Sequence, residues 1–234
     1  MSQSYTTGSR GALYIVWEGY ESRTEMMLAR SIDSLSIFHP ELPYHVVRLP
    51  RESTLLDKAA MCDLTPYDET LFLDADTVVM GRLDFGFEKA AKHGLAVCIC
   101  EAPWARRYKC CSGDMVEYNA GIVFFTHAAQ PFFDRWQVLN RTVDSSILFH
   151  AASGVQRMPL NDQAGFAMAM EQTGTNPYTL PMNWNFRPLW HKTWFGPIKI
   201  WHDYGDVPLS FAEFTASQSK PDAIIKYAES GRKA

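Results

Sequence analysis

Residues 71–80 read LFLDADTVVM, an apolar run closed by two aspartates one residue apart, Asp74 and Asp76. Close carboxylates repel, and each is costly to take out of water unless a positive group joins them. A divalent cation is one such group. Hard cations such as Mg²⁺ and Mn²⁺ take oxygen ligands, commonly one or two carboxylates plus substrate phosphates. The pair therefore points to a metal–phosphate site. A solvated turn after a strand, with Asp76 capping a local group, is the alternative that D-x-D alone leaves open. The five cysteines suggest a different metal, but Cys98-x-Cys100 and the adjacent Cys110-Cys111 lack the C-x-x-C spacing of structural zinc. They read as buried or loop thiols.

The acidic pair needs elements to place it. ALYIVW (12–17) predicts a first strand. Ser22 and Glu25 form an S-x-x-E capping box ahead of Leu28, Ile32, Leu35 and Phe38, which recur at helical spacing until His39-Pro40. YHVVRL (44–49) predicts a second strand, Leu55, Leu56, Ala59 and Ala60 a short helix, and TLFLD a third strand ending at Asp74. LAVCIC (95–100) and YNAGIVFF (118–125) are further strands. PFFDRWQVLNRTV and NDQAGFAMAMEQ read as helices, the second with Asn161 as N-cap. Tyr178 to Gly205 is irregular, and 219–230 is expected to close the chain as a helix. Alternating strands and helices, with continuous apolar strands, predict an α/β fold: a mainly parallel sheet covered by helices on both faces. No linker or repeat divides the 234 residues, so one domain over 1–234 is expected. In such sheets ligands bind beyond the carboxyl ends of the strands, where Asp74 and Asp76 fall.

A net charge of −4 argues against nucleic acid as the partner. No stretch is long and apolar enough to span a bilayer, and MSQSYTTGSRGALYIVW carries no signal pattern, so a cytoplasmic location is expected, with peripheral membrane contact compatible.

After the D-x-D come Tyr118-Asn119-Ala120-Gly121-Ile122, Asn161-Asp162-Gln163, Leu180-Pro181 with Trp184-Asn185, and Trp201-His202-Asp203-Tyr204-Gly205. Over residues 12 to about 206 this ordered series resembles the glycogenin-like GT-A glycosyltransferases, which include bacterial lipopolysaccharide galactosyltransferases. The resemblance implies the GT-A fold and a metal-dependent transfer of a hexose from a nucleoside diphosphate sugar, UDP foremost, to a hydroxyl acceptor, with retention of configuration. It implies that Asp74, Asp76 and His202 ligate Mn²⁺ (or Mg²⁺). It places Asn119, Ala120, Asp162 and Gln163 at the donor sugar, Asp162 and Gln163 near the reacting carbon, Ala75 in the donor site, and Lys58 as a mobile charge on the diphosphate or sugar. Residues 14–20 would hold the nucleoside, with Trp17 or Tyr20 on the base. The family's usual lysine after H-x-x-G is missing, and Asp206 stands near its place, so Lys199, Arg187 or Lys58 would substitute. Segments 101–114 and 187–196, with Trp104, Arg106, Arg107, Lys109, Trp190, His191 and Trp194, suit an acceptor or a lid.

Two rivals remain at this level. Asp74-Ala75-Asp76-Thr77-Val78 also fits the D-x-D-x-[TV] of haloacid-dehalogenase-like phosphatases, with Asp74 as nucleophile. There the motif follows the first strand, and a late acidic pair would be needed, whereas Gly205-Asp206 is followed by Val-Pro-Leu-Ser. The other rival is a nucleotide-sugar-binding module without turnover. An inverting transferase would need a base, for which Asp114 or Asp203 would serve.

Overall fold

Ala12, Tyr14 and Val16 enter one apolar core and Leu13 and Ile15 another, so the first strand buries both faces. The same alternation divides Leu71 and Leu73 from Phe72, and Ile122 and Phe124 from Val123 and Phe125. Strand side chains alternate faces, and a strand covered on both sides reads as an unbroken apolar run. The computed structural model describes residues 9–19, 21–100, 115–191, 193–195, 197–209, 213 and 224–226.

The strands are β1 (Arg10–Trp17), β2 (Tyr44–Leu49), β3 (Glu69–Leu73), β4 (Thr77–Val79), β5 (Leu95–Ile99), β6 (Tyr118–Thr126), β7 (Ile147–Ala151), β8 (Gly154–Met158), β9 (Tyr178–Leu180), β10 (Thr193–Phe195), β11 (Ile200–His202) and β12 (Ile224–Lys226). The helices are α1 (Glu21–Phe38), α2 (Met61–Leu64), α3 (Asp84–His93), α4 (Gln130–Thr142) and α5 (Asp162–Thr173). Among the described residues, a central sheet runs β2-β1-β3-β6-β5-β9. Its pairs are parallel except those made by β6, which is antiparallel to β3 and to β5. Residues of α1 and α3 pack on one face, and those of α2, α4 and α5 on the other. The expected α/β sheet is therefore present. The chain passes from β1 to β2 on one side and returns past β1 to β3 on the other, and such a switch of direction opens a crevice at the strand ends.

Several expectations change. The first helix begins at Glu21, so Ser22 lies inside it rather than at its cap. The capping box instead appears at Thr54, whose side chain accepts from Leu56 N–H while Asp57 accepts from Thr54 N–H, opening a 3₁₀ turn over Leu55–Ala60. Residues 224–226, expected in a helix, form β12 and pair with β10. Ile-Ile-Lys is too short for helical spacing to show, and its β-branched residues suit an edge pair. The irregular stretch holds β11, which pairs antiparallel with β4. Neither three-residue strand carries a periodic signal.

Phe124 shows how tightly the sheet is covered. Its ring meets Phe87 edge-on at 5.2 Å and Trp184 at 5.8 Å, and a Cβ on Gly86 would collide with it. Phe124→Ala is expected to cost about 3–5 kcal/mol, the usual loss for a buried aromatic, read as a lower midpoint in urea unfolding. His39, which ends α1, is buried and accepts Leu83 N–H on Nε2 at 2.8 Å, while Nδ1 lies 3.3 Å from Glu41. Burial, then the Arg82 charge, holds its pKa below the ordinary 6.5. The unfolded chain takes up that proton at higher pH than the folded one, so stability falls as pH drops below about 6.5. Urea midpoints across this range should decline in the parent and decline less in His39→Gln.

Candidate functional site: an acidic cleft at the strand ends

β3 ends at Leu73 and the chain turns at once. Thr77 closes the turn by donating its N–H to Asp74 O at 3.2 Å and its hydroxyl to the same oxygen at 2.8 Å. Ser31 Oγ lies 2.9 Å from Thr77 Oγ1, and Ser34 Oγ accepts Val79 N–H at 2.9 Å, so α1 pins β4 from below. This explains the threonine of the D-A-D-T run, which is buried and committed to the turn. On β11, His202 is opposite Thr77, and Asp203 N–H donates to Asp76 O at 3.1 Å. The antiparallel pair thus carries an imidazole from late in the chain to the aspartates. His202 Nε2 lies 3.4 Å from Asp76 Oδ1 and 3.9 Å from Asp74 Oδ2.

The reversed direction of β6 brings its first residues to the same edge. Asp74 N–H donates to Gly121 O at 2.8 Å. A Cβ at Gly121 would collide with His202 Cε1 and sit 2.6 Å from Asp74 Oδ2, so the glycine keeps the space between imidazole and carboxylate open. Asn119 donates to Gln163 Oε1 at 3.2 Å, and its own Oδ1 accepts Gly121 N–H at 3.0 Å. Gln163 and Asp162 open α5. Asn161 caps that helix by accepting Gln163 N–H at 2.9 Å, as its sequence predicts, and buried Trp136 donates its indole N–H to Asp162 O at 3.0 Å.

Lys58 is only 3% exposed. Its Nζ lies 3.1 Å from Asp74 Oδ1 and 3.0 Å from Asp162 Oδ2. The expected mobile charge is thus a fixed bridge between the two aspartates. Burial opposes its charge, but Asp162 and Asp74 outweigh burial and raise its pKa. Burial likewise raises Asp74, against the pull of Lys58. At Asp76 burial is overcome by the adjacent His202, which brings the carboxyl down to about 2.

These groups line one cleft of about 700 Å³. Trp17, Lys58, Asp74, Ala75, Asp76, Asn119, Ala120, Asp162, Gln163 and His202 all reach it, and Tyr20 lies outside the described residues. Trp17 Nε1–H donates to Thr54 O at 3.2 Å, which holds the indole in the wall at the end of β1. Sequence reading missed Thr24 and Met27 on α1, Ser53 to Leu55, Leu160 and Tyr204, while Pro188 and Leu189 bring the expected segment 187–196 to the cleft. Their types carry no chemical signal, and the cleft draws them from separate segments. Of the substitute cations, Arg187 reaches the cleft, while Lys199 packs beside Gly81 and is absent from the lining. Asp206 points away and pairs with Arg30 at 2.8 Å. Trp184, Trp201 and His191 are buried, and His191 Nδ1 accepts Arg187 N–H at 3.1 Å. Segment 101–114, with Cys110, Cys111 and Asp114, and the Trp194 side chain lie outside the described residues. Cys98 and Cys100 are buried.

The donor set fits a divalent cation. Asp74, Asp76 and His202 each offer a ligand atom, and these atoms lie within 4.8 Å of one another. Gly121 leaves the gap that any other residue would fill. Two carboxylates with an imidazole suit Mn²⁺ or a similar ion. Among the described residues, no helix is long and apolar enough to cross a membrane.

No family model and no curated protein matches this sequence. Solved structures do. The galactosyltransferase LgtC, in complex with donor and acceptor sugar analogues, superposes with a TM-score of 0.57 at 13% identity, covering 90% of this chain and 96% of LgtC. Mouse xyloside xylosyltransferase 1 gives 0.57 at 14% identity over 86% and 99%. The phosphatase reading of the D-x-D is set aside by this likeness and by the motif's place after β3. The chain has the fold that these two transferases share, the GT-A fold.

Proposed function

We propose that this protein transfers a hexose from a nucleoside diphosphate, UDP, to a hydroxyl acceptor, with retention of configuration and with Mn²⁺ or Mg²⁺ in the cleft. The observation that carries the reading is the 3.4 Å approach of His202 Nε2 to Asp76, two residues far apart in sequence that meet at the strand-end crevice of a GT-A fold. When bound, the cation supplies Lewis-acid stabilisation of the charge that grows on the departing diphosphate.

The chain's own groups do the rest. Asp74, Asp76 and His202 hold the cation. Ile15 to Trp17, Thr24 and Met27 line the end of the cleft that takes the nucleoside, with the fixed Trp17 indole against the base. Asn119, Asp162 and Gln163 take sugar hydroxyls, each of which needs a partner once water leaves. Lys58 orients both carboxylates rather than following the phosphate, and Arg187, which also lines the cleft, meets the diphosphate. The acceptor hydroxyl attacks on the face the diphosphate leaves, and that leaving group takes the hydroxyl proton, so no protein base is required. Asp162 and Gln163 hold the sugar at that point. In LgtC a Gln-to-Glu variant is described as an active-site mutant, which accords with a glutamine at such a centre. Leu160, Pro188, Leu189 and Tyr204 frame the acceptor side.

UDP-hexoses at about 100 times their Kd should stabilise the protein by about 2.7 kcal/mol, but only with Mn²⁺ present, as read by thermal shift. Asp76→Asn should abolish the metal-dependent part and reduce UDP release to background. Binding without release of UDP to any hydroxyl acceptor would instead mark a binding module. Gly121→Ala should cost about 1–3 kcal/mol of stability through overpacking and remove the Mn²⁺ response, since the new methyl occupies the space between His202 and Asp74.

A further inference from the structure

Asn185 is buried and absent from the cleft lining, yet it stands between two of the cleft's functional groups. Its Oδ1 lies 2.8 Å from His202 Nδ1, and its Nδ2 donates to Asn119 Oδ1 at 2.8 Å. Beyond Asn119 the contacts continue. Asn119 Nδ2 donates to Gln163 Oε1 at 3.2 Å, and Gln163 Nε2 donates to the Cys100 sulfur at 3.2 Å. A single chain of hydrogen bonds therefore links Cys100, Gln163, Asn119, Asn185 and His202.

One backbone donor outside this chain sets the direction of all its members. Gly121 N–H can only donate, and it donates to Asn119 Oδ1 at 3.0 Å. That oxygen is thereby identified as the acceptor end of Asn119. Asn185 must then turn its NH₂ toward it, which leaves Asn185 Oδ1 facing His202. An amide oxygen cannot donate, so Nδ1 of His202 must carry the proton. In a neutral imidazole the other nitrogen, Nε2, is then a bare lone pair, and Nε2 is the atom facing Asp76 and Asp74. The opposite tautomer would aim an N–H at the place a cation needs and leave two lone pairs opposed at Asn185.

We propose that Asn185 is a positioning residue that locks His202 in its metal-ligating tautomer, on the authority of the Gly121 amide. Because the same chain runs through Asn119 to Gln163, it also ties the orientation of the sugar-side amides to that of the imidazole. The cation part of this inference rests on the metal-dependent transfer proposed above; the tautomer part does not.

The test uses the metal-free full chain and two readouts. Histidine ¹⁵N NMR in alkaline buffer should show His202 with its proton on Nδ1, assigned by loss of the signal in His202→Ala. Mn²⁺ titration followed by the paramagnetic resonance of the free ion should then show a weakening of about 10–100-fold in Asn185→Leu, the usual effect of removing a ligand's outer partner. Asn185→Asp keeps an acceptor oxygen for Nδ1 and should retain the tautomer and bind Mn²⁺ more tightly than Asn185→Leu. A bare Nδ1, with the proton on Nε2 alone, overturns the proposal in the parent without any substitution, as does an unchanged Mn²⁺ affinity in a folded Asn185→Leu. A parent that shows the Nδ1 tautomer but binds no Mn²⁺ overturns the metal reading and leaves the tautomer lock standing.

Discussion

The half-buried carboxylate of Asp74 is the constraint around which the cleft is organised. Burial raises its pKa, because an ionised carboxyl is poorly tolerated away from water. The fold answers with Lys58, a nearly inaccessible ammonium that is itself sustained by Asp74 and Asp162. Lys58 donates to both carboxylate oxygens of Asp74, at 3.1 and 3.4 Å, and the farther one also faces Gly121 and His202. Charge of both signs is concentrated in a confined space, where electrostatic effects exceed those in bulk water. The arrangement suits a site that must receive an anion and a cation together.

That confinement follows from topology. The switch between β1 and β3 opens the crevice, and the antiparallel insertion of β6 returns Asn119, Ala120 and Gly121 to the edge where Asp74 emerges. Were β6 parallel, those residues would lie at the far end of the sheet. β4 and β11 do the same for His202 with only three residues each. Arg30 on α1 donates to the carbonyls of Asp203 and Gly205 at 3.2 and 2.9 Å, so the segment that follows the imidazole is tied to the same helix that supports β4. Backbone pairing, α1, the start of α5 and the 3₁₀ turn that carries Lys58 therefore position a cluster whose members come from five separate parts of the chain.

Much of this was legible without coordinates. β2 matches its sequence-predicted bounds, and β1, β3, β5, β6, α4 and α5 fall within a few residues of theirs, because unbroken apolar runs and helical spacing report burial directly. The Asn161 cap was readable from residue type alone. The three-residue strands were not, because so short a segment has no period. Nor was the closing segment, where a helical pattern was expected and Ile224–Lys226 pair as a strand. At the site, the residues with conspicuous chemistry come together in one cleft, while the residues that support them carry no signal in the sequence. Asn185 stood in a recognisable segment, but nothing in an asparagine's sequence context says that it faces a histidine.

The amino-acid sequence by itself determined the class of the fold and the identity of the acidic pair, since alternating apolar segments dictate a covered sheet and two adjacent carboxylates require a positive partner. Only the tertiary structure decided which partners arrive. It made Lys58 a buried bridge instead of a mobile charge, excluded Lys199, and set Nε2 of His202 toward the aspartates through Asn185 and Gly121. These outcomes depend on distances of about 3 Å between groups far apart in sequence, and hydrogen-bond direction is fixed only when donor and acceptor are brought face to face.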